Sequence, residues 1–149
     1  MIREIEYEEL KAASEILWKS FYHAEKNNHS MEGMERFRDL TDPVSLSMNT
    51  FDGNIVLYGY FENDLLLAVG ALKEKKHVLM LYVLPEHQNR GIGKRLLQFM
   101  ESECFETCIS LNASDCAISF YEHNGYQVCG RRSIDEGLIS TPMKKSVKK

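Results

Sequence analysis

The sequence predicts a single-domain α/β protein in which a mixed central sheet is flanked by helices. Three observations carry that expectation. First, His77 to Leu84 is an eight-residue run rich in Val, Leu, Met and Tyr, without Gly or Pro and stopped by Pro85, which reads as a strand buried on both faces. Second, a short polar link and the pair Gly91, Gly93 connect that strand to a segment with Ile92, Leu96, Phe99 and Met100 at helical spacing. Third, the whole chain reads β-α-α-β-β-β-α-β-α-β-β, with no repeat, low-complexity tract or linker across 149 residues.

Taken in order, Met1 to Ile5 is short and alternating and reads as the first strand. Glu8 to about Asn27 is a helix, because Leu10, Ala13, Leu17 and Phe21 recur at steps of three or four. Asn27-Asn28 breaks it. Ser30 is placed to cap a second helix running to Leu40, which Asp42-Pro43 ends. Ser45 to Asn54 carries no clear period. Ile55 to Glu62 is strand-like, and Asn63-Asp64 turns it into a partner strand over Leu65 to Leu72. The polar turn Lys73 to Lys76 leads into the strand at His77. After the following helix, which runs to about Glu103, Thr107 to Asn112 is another strand. Ser114 reads as the N-cap of a helix from Asp115 to about His123, closed by Asn124-Gly125. Tyr126 to Ser133 and Leu138 to Lys145 then form a terminal hairpin.

Composition excludes several classes. A formal charge of −4 gives the surface no general attraction for nucleic acid, and Lys144, Lys145, Lys148 and Lys149 read as a solvated end. No apolar stretch reaches the ~18 residues of a membrane helix, and the acidic N-terminus is no signal peptide. Cys104, Cys108, Cys116 and Cys129 lack metal-ligand spacing, so no metal is expected and buried free thiols in a reducing cytoplasm are the default.

The segment around the two glycines has a physical use. A helix start leaves main-chain N–H groups without partners and carries partial positive charge. Glycines there let a diphosphate approach the backbone, with Arg90, Lys94 and Arg95 nearby. A Walker A loop is absent, and the dinucleotide pattern fails because Leu96 occupies its third glycine position. Gln88-x-x-Gly91-x-Gly93, behind an apolar strand and ahead of a Leu-Leu helix, resembles the acyl-CoA signature of the GCN5-related N-acetyltransferase (GNAT) family. Ala117-Ile118-Ser119-Phe120-Tyr121-Glu122-His123-Asn124-Gly125-Tyr126, after a strand ending in Asn112, looks like that family's later motif. The element order also matches the family across nearly the whole chain, although the motifs cover only His77 to Tyr126.

The resemblance implies a GNAT-like sheet whose central strands splay into an acyl-CoA slot, and a single N-acetyltransferase domain over residues 1–149. It implies acetyl-CoA as cofactor, with CoA as product, and an amine on a small molecule or peptide as acceptor. It assigns the CoA diphosphate to the main chain of Gln88, Asn89, Arg90, Gly91, Ile92, Gly93 and Lys94, and the pantetheine arm to the edge formed by Leu81, Tyr82 and Val83. Asn112 is a second-tier pantetheine contact; helix capping is the simpler account of Ser114. Tyr121 is the implied general acid, its phenol protonated at neutral pH with an ordinary pKa near ~10. Phe120 reads as core by packing, and the resemblance sets it beside the cofactor. A homodimer is a further prospect that no segment declares.

The proton acceptor is open. The apolar run from Val78 to Leu84 and the strand around Ile109 to Leu111 offer no carboxylate. His23, Glu25, His29, Glu32 and His77 are candidates, each also readable as a solvated surface residue, and a water relay would serve equally. Trp18, Phe21, Tyr22, Tyr58 and Tyr60 are candidates for the acceptor side; helical spacing already accounts for Phe21 as core, whereas Trp18 and Tyr22 lie off that stripe. The readings that compete with transfer are an acyl-CoA sensor without turnover, and a dinucleotide-binding protein.

Overall fold

A computed structural model of the chain describes residues 1–147. Strand β1 (Ile2–Glu4) precedes three helices, α1 (Leu10–Glu25), α2 (Met31–Thr41) and α3 (Pro43–Thr50). Strands β2 (Ile55–Glu62), β3 (Leu65–Lys73) and β4 (His77–Val83) follow, then α4 (Ile92–Ser102), β5 (Cys108–Ala113) and α5 (Ile118–His123). The chain closes with β6 (Gln127–Val128), β7 (Ser133–Asp135) and β8 (Leu138–Ser146). The sheet order is β1-β2-β3-β4-β5-β8-β6, with β7 also paired to β8; β4 and β5 run parallel and the other pairs antiparallel.

Alternation along the strands feeds two cores, one on each face. Val69 and Ala71 of β3 pack with Leu10, Ala13, Leu17 and Phe21 of α1 and with Phe37 of α2. Ala68 and Leu72 point the other way, onto Leu96, Leu97 and Met100 of α4. Gly70 lets α4 settle onto the sheet, since a Cβ there would stand 2.7 Å from the Met100 methyl. The hairpin at Asn63-Asp64 turns with both residues at positive φ, 51° and 66°, the backbone of a tight two-residue connection.

The structure departs from the sequence expectations at several points. Residues 43–50 form α3: Asp42 ends α2 as expected, but its Oδ1 also accepts from the Ser45 N–H at 2.9 Å, and Pro43 takes the first helical position. The expected strand over 126–133 shrinks to β6, and the terminal hairpin is β7 against β8 around Glu136-Gly137. Ser114 occupies the N-cap position, but its hydroxyl makes no capping bond and lies 3.5 Å from the Cys116 sulfur. Of the four free cysteines only Cys104 is buried. Lys144 and Lys145 are strand residues of β8, Lys145 pairing with Glu101 at 3.1 Å; Lys148 and Lys149 lie outside the described residues. No helix among the described residues is long and apolar enough to cross a membrane.

The departure that matters most is in β4. Only Val78 is fully buried, and Leu79 is 38% exposed. The parallel ladder to β5 consists of His77 opposite Ser110 and Val78 opposite Leu111, and then stops. On the other edge, Leu72 pairs with Val78 while Ala71 pairs with Met80, so Leu79 is an extra residue in β4. A bulge bends and over-twists its strand. This one falls where β4 parts from β5, and a cleft opens between them.

Candidate active site

The cleft has a volume of about 390 Å³. One wall is Leu79 to Val83 of β4, and the opposite wall is Asn112 to Ser114 with Phe120 and Tyr121. Gln88, Asn89 and Gly91 to Lys94 form one end, and Ser20, Ala24 and Glu25 of α1 also line it.

The glycine end follows from its backbone. Gly91 stands before α4 at φ 79°, a left-handed conformation that glycine adopts without strain, and a Cβ there would meet nothing within 4 Å. No side chain caps the helix, so the amides of Ile92, Gly93 and Lys94 have no partner among the described residues. A Cβ at Gly93 would rest 3.5 Å from both Phe120 and Val83, at the floor of the cleft. Two expected donors are committed elsewhere. The Gln88 N–H turns back to the Pro85 carbonyl at 3.4 Å, while its side chain donates to the Val83 carbonyl at 3.1 Å. The Arg90 guanidinium pairs with Glu62 at 2.6 Å and does not line the cleft, whereas Lys94 does.

Along β4, the Leu84 N–H bonds Leu67 of β3, so by alternation Leu81 and Val83 turn their main-chain groups toward the cleft. Tyr82 sends its side chain to the α1 side. Its hydroxyl donates to Glu25 Oε2 at 2.8 Å. His29 Nε2 lies 2.7 Å from Glu25 Oε1, and the Ile139 N–H donates to His29 Nδ1 at 3.1 Å. The amide at Nδ1 fixes the tautomer: the ring's hydrogen is on Nε2, directed at Glu25. The His29 and Glu25 side chains are 2% and 3% exposed, so two of the candidate bases read as surface residues are instead buried together against the central strand.

Tyr121 is buried beside this network, its ring edge-on to Phe120 and to Tyr126. Its hydroxyl has no hydrogen-bond partner among the described residues and faces the cleft. Burial, reinforced by the Glu25 charge, pushes the phenol far above its ordinary range. Phe120 is 37% exposed on the cleft wall, which corrects its reading as a core aromatic. Asn112 reaches the cleft from the end of β5.

The aromatic residues expected on the acceptor side lie elsewhere. Phe21 is stacked on Phe37 with centroids 3.7 Å apart, deep in the core. Trp18 lies under the Arg38 guanidinium and Tyr22 is 48% exposed. The hydroxyls of Tyr58 and Tyr60 bond Glu103 and Glu62. None of the five lines the cleft. His23 and Glu32 are exposed, and His77 bonds Ser110 at the closed end of the strand pair, its pKa lowered by burial and then by Lys73. The α1 face that does reach the cleft is Ser20, Ala24 and Glu25; sequence reasoning had Glu25 as one candidate among several and missed Ser20.

A family profile described as "Acetyltransferase (GNAT) domain" matches residues 25–147. Among curated proteins none matches significantly. Solved structures do. A GCN5-related N-acetyltransferase from Rhodopseudomonas palustris is 22% identical, with 98% of this chain and 94% of that one covered and a TM-score of 0.87. The PaiA N-acetyltransferase from Thermoplasma acidophilum, solved in complex with coenzyme A, is 24% identical, with 98% of each chain covered and a TM-score of 0.80. A ribosomal-protein alanine N-acetyltransferase from Escherichia coli is 16% identical over 100% of this chain and 94% of that one, with a TM-score of 0.74.

Proposed function

The chain belongs to the GNAT acetyltransferase family, and from that premise we propose that it transfers the acetyl group of acetyl-CoA to a primary amine of a small molecule or peptide. Residues 1–149 act as one transferase domain, and the two reactants meet in the cleft without a covalent enzyme intermediate. The observation that carries the reading is the opening between β4 and β5, with unpartnered main-chain amides at one end and the unpartnered phenol of Tyr121 inside.

The residues present suit the cofactor. The amides of Ile92 to Lys94, the left-handed turn at Gly91 and the Lys94 ammonium form a site for a diphosphate. Asn89 and Arg90 bring the chain into that turn. Leu81 and the Val83 N–H offer main-chain groups to an amide-bearing arm, the Val83 carbonyl being held by the Gln88 side chain, and Asn112 and Phe120 line the facing wall. Acetyl-CoA supplies an acetyl group already activated as a thioester. The protein holds the amine against it, and proximity of the bound reactants accounts for much of the rate.

Tyr121 serves the departing sulfur. Because its phenol is pushed so far up, it does not release a proton freely to a thiolate whose ordinary pKa is near ~8.5. It acts as a hydrogen-bond donor to the developing charge, handing over its proton as it gains another. A cleft without a carboxylate would favour a sensor without turnover, and Glu25, bonded to Tyr82, supplies a carboxylate in the cleft. The same reading places the protein in the cytoplasm and makes a homodimer the assembly to look for by light scattering.

The test is CoA release from acetyl-CoA with a panel of primary amines, alongside thermal stabilisation by CoA and by NAD. Amine-dependent release and stabilisation by CoA alone are expected. Stabilisation by NAD in place of CoA would replace the reading with the dinucleotide one.

A further inference from the structure

We propose that Glu25 seats the ammonium group of an alkylamine acceptor and takes its first proton, with Ser20 as a second polar contact and His29 as the residue that positions the carboxylate. The inference rests on the acetyltransferase reading above and deepens it by naming the acceptor's charge state.

Glu25 is a buried carboxylate that lacks a counter-ion. It accepts from a phenol and from an imidazole whose other nitrogen is occupied by the Ile139 N–H, so both donors are neutral in this arrangement. No lysine or arginine lies within ion-pair distance of it among the described residues. A charge taken out of water without a cation is expensive even when hydrogen-bonded. The two bonds occupy only part of the carboxylate's accepting capacity, and Glu25 lines the cleft. An incoming ammonium supplies the missing charge.

Ser20 is the second, independent sign. It is 1% exposed, it lines the cleft on the same helix as Glu25, and its Oγ has no partner. An unsatisfied buried hydroxyl costs free energy that a ligand's polar group recovers. Ala24 keeps that wall low between the two. On the far wall stands Tyr121, which lines the same cleft as Glu25, so carboxylate and phenol border one space.

The proton balance closes with these groups. The ammonium gives one proton to Glu25, and the freed lone pair forms the N–C bond to the acetyl carbon as the C–S bond breaks. The sulfur leaves with the electron pair and takes the Tyr121 proton. The acylated nitrogen sheds its second proton back to Tyr121, and Glu25 releases its own to water. A carboxylate without a cation selects for amines that arrive charged, and aryl amines, neutral at pH 7, gain nothing from it.

The test compares wild type and Glu25→Gln with n-butylamine, charged at pH 7.5, and 2,2,2-trifluoroethylamine, which is neutral there. Loss of a proton acceptor predicts a fall in kcat/KM of at least about 100-fold for n-butylamine and less than about 10-fold for trifluoroethylamine, with CoA binding unchanged. Ser20→Ala, which removes an unpartnered hydroxyl and leaves the core filled, should raise the KM for n-butylamine several-fold without lowering the melting temperature. Equal losses on both amines, or a wild type that binds CoA but transfers to neither, overturns the assignment while leaving the cofactor site intact. A wild type that fails to bind CoA overturns the acetyltransferase reading beneath it.

Discussion

Removing the hydroxyl of Tyr121 should separate activity from stability. In Tyr121→Phe the ring keeps its edge-on contacts to Phe120 and Tyr126, at centroid distances of 5.2 and 5.6 Å, and the lost oxygen had no protein partner. No hydrogen bond breaks, so the stability change should stay within about 0.5 kcal/mol. If the phenol donates to the leaving sulfur, kcat should fall by about 10²–10⁴, which is ~3–5 kcal/mol of barrier. Tyr126→Phe is the matched control. Its hydroxyl donates to Glu101 at 2.7 Å, outside the cleft, so it should cost about 1–2 kcal/mol of stability and leave kcat near wild type. Urea unfolding and CoA-release kinetics on the same preparations read both quantities. The reasoning is refuted if Tyr121→Phe keeps its kcat, or if it loses stability as Tyr126→Phe does.

Three further outcomes follow from local geometry. Gly91→Ala forces a side chain into a left-handed residue at φ 79°; it should cost about 1 kcal/mol of stability and weaken CoA binding measured by calorimetry. Gly33→Ala puts a Cβ onto the Gly137 carbonyl, where α2 meets the β7–β8 turn backbone to backbone; a loss of about 2–3 kcal/mol in urea unfolding is expected. The bond from Arg3, and then the Glu6 N–H, hold the Glu9 carboxyl down at about 2, below its ordinary 4.5. A depressed folded-state pKa gives stability that is complete above the unfolded value and lost as pH falls through the folded one. Stability should therefore drop between about pH 4.5 and pH 2, and Glu9→Gln should flatten that part of the urea-midpoint profile.

Much of the fold is written locally. The Leu10, Ala13, Leu17 and Phe21 stripe, the Asn63-Asp64 turn and the glycine pair before α4 each carry their information within a few residues, and each element formed where its pattern lay. The α3 helix is also legible: Asp42-Pro43 closes one helix and, with Asp42 as N-cap and Pro43 at the first helical position, starts the next. What could not be read are features made by assembly. The bulge at Leu79 is hidden inside a uniformly apolar run, yet it bends β4 away from β5 and thins the burial expected of a central strand. Glu25 meets Tyr82 across 57 residues, and His29 meets Ile139 across 110, so no spacing rule connects them. The error over Trp18 and Tyr22 is one of helix phase: the cleft receives Ser20 and Ala24, while the aromatic residues of α1 face other neighbours.

The central claim is that main-chain nitrogens at the start of α4 hold the diphosphate of coenzyme A. Amide resonances followed during titration of the ¹⁵N-labelled protein with CoA test it most directly. The account predicts the largest shifts at Ile92, Gly93 and Lys94, with smaller ones along Leu81 to Val83. Unmoved resonances at those three amides under saturating CoA would contradict it.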